Sequence, residues 1–245
     1  MVVVALVSLA IGILVGWCGV SGFFLPILFM DYCHFGAEES RLISFACFAI
    51  SGVIGAYGYY RKGFVKTEYA TKLCLGSIVG GIIGALVSNR IPSIYVKILL
   101  YIVVLVSGAS IFLQILFLKE RKREVDTRLL FPIGVVTAII CSLSGAGGPV
   151  IVMPVLMLLG FSPKDAVGTA LLDMIFIALP VCAANAGCLP DILPVFLLAF
   201  IAHGVGMAVG TRTSSLIRPM PLKVSIAAFS ILFAIYMLLK LGGLL

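Results

Sequence analysis

Eight long apolar runs follow one another along this chain, at residues 2–30, 42–60, 73–89, 94–118, 129–161, 167–186, 191–211 and 222–243. A helix needs roughly 20 mostly apolar residues to cross the hydrocarbon core of a bilayer, so nearly every run is long enough to span a membrane. Of the 245 residues, 62% are apolar and 11% charged. A soluble domain carries about 25% charged residues, so the chain lacks the polar surface that a soluble fold needs. Disorder, a secreted disulfide scaffold and collagen-like repeats fail on the same composition. The reading is an all-α integral membrane protein.

The net charge of +7 would suggest nucleic acid in a soluble protein. Here it reads as Lys and Arg collected in cytoplasmic loops, and no nucleic-acid partner is expected. The seven Cys lie mostly in apolar runs (Cys18, Cys47, Cys74, Cys141 and Cys182), where a free thiol behaves as a small hydrophobe. No CxxC or Cys/His spacing appears, so neither a metal site nor a cofactor is expected. Residues 2–16 look like the core of a secretory signal, but no basic residue precedes them and no small-residue cleavage site follows. The segment is expected to stay in the mature protein.

The most polar stretch, residues 119–128, divides the chain into a first unit at 1–118 and a second at 129–245. The two units match at a constant offset of 126: Gly19 and Gly22 with Gly145 and Gly148, Phe35 with Phe161, Gly80 and Gly84 with Gly206 and Gly210, Lys97 with Lys223. Each unit opens with an apolar run of 29 or 33 residues, long for one crossing and short for two. Both runs are interrupted by glycine, at Gly19-Val-Ser-Gly22 and Ser144-Gly-Ala-Gly-Gly148. Such breaks at membrane depth need protein or a cavity around them. Each run is either one broken crossing or a re-entrant hairpin. Crossing runs distribute Lys and Arg as 10 against 7; hairpins distribute them as 13 against 4, with Arg41, Arg90, Lys97 and Lys240 on the poor side. The positive-inside rule favours the hairpin. Three further crossings per unit then make the second unit an inverted copy of the first, a recurrent transporter plan. The alternative of a broken helix stays open.

The residues that bear chemistry cluster at the breaks. Glycine-rich turns that open a helix expose N–H groups at the positive end of its dipole and suit an anion. Gly19, Ser21, Gly22, Ser144, Gly145, Gly147 and Gly148 are therefore candidate substrate-binding residues, with Ser142 a further hydroxyl and Thr169 a hydroxyl from the next span. With Arg41 counted among the loop cations, the pocket is expected to be rich in donors and free of buried arginine. Glycines at 76, 80 and 84, and at 206 and 210, read instead as helix-packing contacts. Asp173 is the one acidic residue well inside a span. It is a candidate for ion coupling, with His203 as a second, and the coupling ion is a proton or a cation.

The chain resembles the sulfite exporter TauE/SafE family, the toluene-sulfonate uptake permease group. The resemblance is carried by Gly145-Ala-Gly-Gly148 followed by Pro154-Val-Leu, then Ala166-Val-Gly-Thr169. A weaker copy stands at Gly19-Val-Ser-Gly22 with Pro26-Ile-Leu, and glycine pairs stand at Gly80–Gly84 and Gly206–Gly210. The first unit departs from the pattern, having Ser21 at the glycine position and Ser40-Arg-Leu-Ile43 where the second has Ala-x-x-Thr. The resemblance implies a multi-pass permease of the bacterial cytoplasmic membrane for a small anion such as sulfite or an organosulfonate. Alternating access around the helix breaks is the expected mode of transport, and a homodimer is a candidate assembly. One enzyme reading competes. Gly19-Val-Ser-Gly22 fits the GxSG motif of rhomboid intramembrane proteases, with Ser21 as nucleophile and His203 as base.

Overall fold

The computed structural model describes residues 1–19, 21–117, 127–214 and 219–241; most of the linker, residues 119–126, lies outside them. Ten α-helical elements follow in order: α1 (Val2–Cys18), α2 (Phe24–Ile27), α3 (Ala37–Arg61), α4 (Thr67–Ser88), α5 (Ser93–Phe117), α6 (Leu130–Ser144), α7 (Gly148–Leu158), α8 (Pro163–Ala184), α9 (Leu189–Thr213) and α10 (Pro219–Leu241). No strand occurs among the described residues. Among the described residues, six helices are long and apolar enough to cross a membrane. The protein is an all-α, multi-pass membrane protein.

The halves share their punctuation. Gly19 and Gly145 end α1 and α6 in the left-handed region, each with φ of 77°. That conformation strains any residue with a Cβ, and it is how many helices stop. His34 (φ 57°) and Gly160 (φ 99°) are the next positive-φ pair, again 126 residues apart. Gly36 and Ser162 are the N-caps of α3 and α8, and α5 and α10 begin at Ser93 and Pro219. Between Gly19 and His34 the chain winds as a 3-10 turn (Ser21–Phe23), the short α2 and a π-turn (Leu28–Tyr32), where the second half has the regular α7.

The register of close contacts gives the helix directions. Along α1 and α9, Leu9 meets Gly206, Ile13 meets Gly210, and Trp17 Nε1 donates to Thr213 Oγ1 at 2.9 Å. The residue numbers rise together, so the helices are parallel. α3 is parallel to α9 as well: Ser51 meets His203, Gly55 meets Met207, and Gly58 meets Thr211. α4 is parallel to α6, with Gly76 on Phe131, Gly80 on Val135 and Gly84 on Ile139. It is also parallel to α8, with Ser77 beside Asp173 and Gly81 on Ile177. α3 and α8 are antiparallel, because Gly52 meets Ile175 and Tyr59 meets Gly168. Hence α1, α3 and α9 point one way, and α4, α6 and α8 the other.

These directions require the chain to double back. Gly16 lies level with Thr211, and through it with Gly58 near the end of α3, yet the chain must reach Ala37 at the start of α3. Residues 21–36 therefore return alongside α1 as a helical hairpin. Ser142 is likewise level with Gly84, beyond the Gly81–Pro180 contact near the end of α8, and residues 148–162 return to Pro163.

Glycine sets the closeness of these pairs. A Cβ at Gly206 would lie 2.2 Å from the Leu9 carbonyl oxygen, and one at Gly80 would lie 2.2 Å from that of Val135, the same contact 126 residues on. Backbone cannot yield as a side chain does. Gly206→Val should cost about 1–3 kcal/mol or more, read as a thermal transition lowered by several degrees in detergent. An unchanged transition would mean that the helices can separate freely.

Candidate functional site

The two hairpin tips converge on one aromatic ring. A Cβ at Gly22 would lie 2.8 Å from Phe48, and one at Gly147 would lie 3.3 Å from the far side of the same ring. Phe48, on α3, is thus held between the tips, and Ser21–Phe23 touches α7. The structure brings Ser21, Gly22, Gly147 and Gly148 together, all of them buried. Gly147 caps α7, so the N–H groups of Gly147 and Gly148 lie ahead of the first intrahelical bond. Pro149 follows in the first turn, where a missing N–H costs nothing. The Ser21 and Ser142 hydroxyls are buried without a hydrogen-bond partner.

Ser144 is different. Its hydroxyl donates to the Cys141 carbonyl (3.3 Å) and accepts from the Ala146 N–H (3.2 Å), so it shapes the tip and is not a free donor. Thr169 stands one turn before Asp173 on α8, and its buried hydroxyl has no hydrogen-bond partner. Met174 and Ile177, farther along α8, are what meet Gly148. Gly19 and Gly145 sit farther along the two hairpins, Gly19 against Val167 and Gly145 beside Pro26 and Arg41.

Arg41 overturns the expectation of a pocket without buried arginine. It is 1% exposed. Its Nη2 donates to Asn89 Oδ1 at 2.6 Å, while Nε and Nη1 have no partner. Neither ion pair among the described residues involves it. The apolar run begins at Leu42, which made Arg41 look interfacial. The helix begins five residues earlier, where the Gly36 N–H donates to Glu39 Oε2 at 2.8 Å, a capping signal that places Arg41 inside the second turn. Gly36 followed three residues on by Glu39 was the clue available in the sequence.

Asp173 and His203 are both fully buried but belong to separate interfaces. Asp173 faces Cys74 and Ser77 of α4, with Cys141 of α6 nearby, and neither carboxyl oxygen has a close hydrogen-bond partner. His203 Nδ1 lies 3.3 Å from the Ser8 carbonyl oxygen, and its Nε2 lies 2.6 Å from Ser51 Oγ. A carbonyl only accepts, so Nδ1 carries the proton and the neutral ring accepts from Ser51 at Nε2. Both nitrogens are occupied, and neither by Ser21. The Ser21–His203 pair that a rhomboid-type protease requires is not formed.

A cavity of about 270 Å³ opens beside the first tip, lined by Gly19, Tyr59, Lys62, Lys164, Val167 and Thr211 among others. Its outer rim is basic, and its floor is the glycine that ends α1. A different anchor ties the first hairpin down: Lys97 Nζ pairs with Asp31 Oδ1 at 2.6 Å, and the Tyr101 hydroxyl donates to Asp31 Oδ2. Asp31 reaches both through the π-turn.

The arrangement supplies backbone and hydroxyl donors at two glycine tips, with one buried cation beside them. No solved structure matches the chain. A relative from Bacillus subtilis (strain 168), the probable membrane transporter protein YdhB, is 25% identical over 184 residues, which is 71% of this chain and 74% of that protein. The family model for sulfite exporter TauE/SafE matches residues 1–111 and 130–243, and with nearly the whole chain so covered, this protein belongs to the TauE/SafE family of membrane transporters.

Proposed function

We propose that this multi-pass transporter of the cell membrane carries a small sulfur oxyanion, sulfite or an organosulfonate, bound at the two glycine tips. The observation that carries the reading is the convergence of Gly22 and Gly147 on Phe48, with the Gly147 and Gly148 N–H groups and the Ser21 hydroxyl beside them. Backbone donors at a helix start stabilise negative charge, and glycine lets a ligand approach the backbone without obstruction. A tetrahedral or pyramidal oxyanion accepts several such bonds at once. The opposed directions of α1 and α6 fit an inverted repeat in which each hairpin enters from its own face. Rocking of one repeat against the other around the shared site would give alternating access. The cavity beside Lys62 and Lys164 is then the vestibule of the open side, and its lysines raise the local anion concentration.

A thermal-shift screen of the purified protein with sulfite, sulfate, thiosulfate, methanesulfonate and acetate tests the substrate class. Stabilisation by a sulfur oxyanion at millimolar concentration is expected. Preference for acetate, or no shift with any of the five, would defeat the reading.

The basic vestibule belongs on the cytoplasmic side by the positive-inside rule. Glu68, in the first turn of α4 just after the same loop, is exposed. A single Cys at position 68, on a background freed of native Cys, should resist an impermeant thiol reagent in intact cells and react after permeabilisation. Labelling in intact cells would reverse the orientation.

A further inference from the structure

We infer that Arg41 is the charge-selecting residue of the anion path on the side opposite the Lys62–Lys164 vestibule: its unpaired guanidinium N–H groups take an oxygen of the oxyanion as it travels between that surface and the hairpin tips. The inference rests on the reading that the tips bind an oxyanion, and it adds the residue that makes the path selective for charge.

Three observations converge. Arg41 is buried with Nε and Nη1 unbonded, and a buried cation with unmet donors is costly unless an anion joins it. Its side chain runs past the second tip, Cγ lying 3.8 Å from where a Cβ on Gly145 would stand. Arg41, Ser44 and Phe48 fall at i, i+3 and i+7 on one face of α3. That face leads about 10 Å along the helix, from the guanidinium past the unpartnered Ser44 hydroxyl to the ring that both tips grip. Asn89, which holds Nη2, is exposed, so the guanidinium lies just beneath the surface.

The two ends of the path differ at equivalent positions. Position 41 plus 126 is Val167, which meets Gly19 at the first tip much as Arg41 meets Gly145 at the second. One end therefore carries a single fixed, buried cation and the other a valine behind exposed lysines. A buried guanidinium gives strong, charge-assisted bonds to an oxyanion and gives little to a neutral sulfone of similar shape.

The test compares wild type, Arg41→Gln and Arg41→Lys by thermal shift and by equilibrium binding, with sulfite and methanesulfonate as anions and dimethyl sulfone as the neutral probe. Gln keeps a donor for Asn89 and removes the charge. Arg41→Gln is expected to weaken anion binding about tenfold to a hundredfold. Without ligand it should melt at the wild-type temperature or above, because a buried charge with two unbonded nitrogens has gone. Glu38, one turn earlier, attracts that charge without forming an ion pair. Arg41→Lys, which keeps the charge, should retain much of the anion response and guards against a folding defect in the Gln variant. Dimethyl sulfone should stabilise none of the three. Anion binding undiminished in Arg41→Gln, or lost equally in the Lys and Gln variants, overturns the inference while leaving the tip site standing. A lower melting temperature for Arg41→Gln with normal anion binding reduces Arg41 to a clamp on Asn89. Failure of wild type to respond to either anion removes the tip reading and this inference together.

Discussion

Gly147→Val is expected to abolish binding of sulfite and methanesulfonate while leaving the protein folded. Gly147 has φ of −62° and ψ of 151°, a conformation open to any residue, so the valine meets no backbone strain. The new Cβ would lie 3.3 Å from the edge of the Phe48 ring, a contact that a few tenths of an ångström of ring movement relieves. The branched side chain would also crowd the space over the Gly147 and Gly148 N–H groups, where the proposed oxyanion would sit. At a ligand concentration of 100 times the dissociation constant, binding contributes about 2.7 kcal/mol of stabilisation, and the variant should lose all of it. The check is the ligand-induced thermal shift measured beside the ligand-free transition. A full shift in the variant would place the anion elsewhere. Gly145→Val would be a poor substitute, because the left-handed backbone there penalises any side chain and confounds folding with binding.

Asp173→Asn should uncouple transport from its driving gradient while leaving substrate binding measurable. The carboxyl group is fully buried between α8 and α4, and an intramembrane carboxylate is expensive enough to mark function. Asn keeps the shape and removes the exchangeable charge. In proteoliposomes, accumulation driven by an imposed proton or cation gradient is expected to fall at least tenfold, with exchange of substrate down its own gradient retained; a factor of ten corresponds to about 1.4 kcal/mol. Normal gradient-driven accumulation would reduce Asp173 to a packing residue. Asp173 and His203 lie in different helix interfaces and share no hydrogen bond, so His203→Gln should affect stability through the Ser51 contact before it affects coupling.

Much of this architecture was legible in one dimension. Apolar run length sets where a chain can enter a bilayer, and the glycines at 19 and 145 announce helix ends because no other residue takes that backbone conformation cheaply. The constant offset of 126 therefore marked helix caps that the fold indeed places in equivalent positions. The glycines at 80 and 206 read correctly as packing contacts, since close backbone approach in lipid favours residues without side chains. Charge distribution, a global property, pointed to hairpins, and the parallel register of α1 with α3 and α9 now requires the chain to turn back.

Tertiary structure alone decided which polar groups face one another. In water a helix shows its buried side by its pattern of apolar residues. In lipid both sides are apolar: Leu73 is fully buried and Leu75, two residues on, is 57% exposed. The sequence therefore does not say which way a helix is turned. That is why Ser144 looked like a free donor and instead closes its own turn. It is also why Arg41 read as a loop cation until the packing of α3 against the second hairpin buried it. The sequence by itself determined which runs are apolar enough to enter a membrane and where the first run of each unit breaks. Whether a buried cation stands beside those breaks depended on helix rotation, which only packing between distant segments settles.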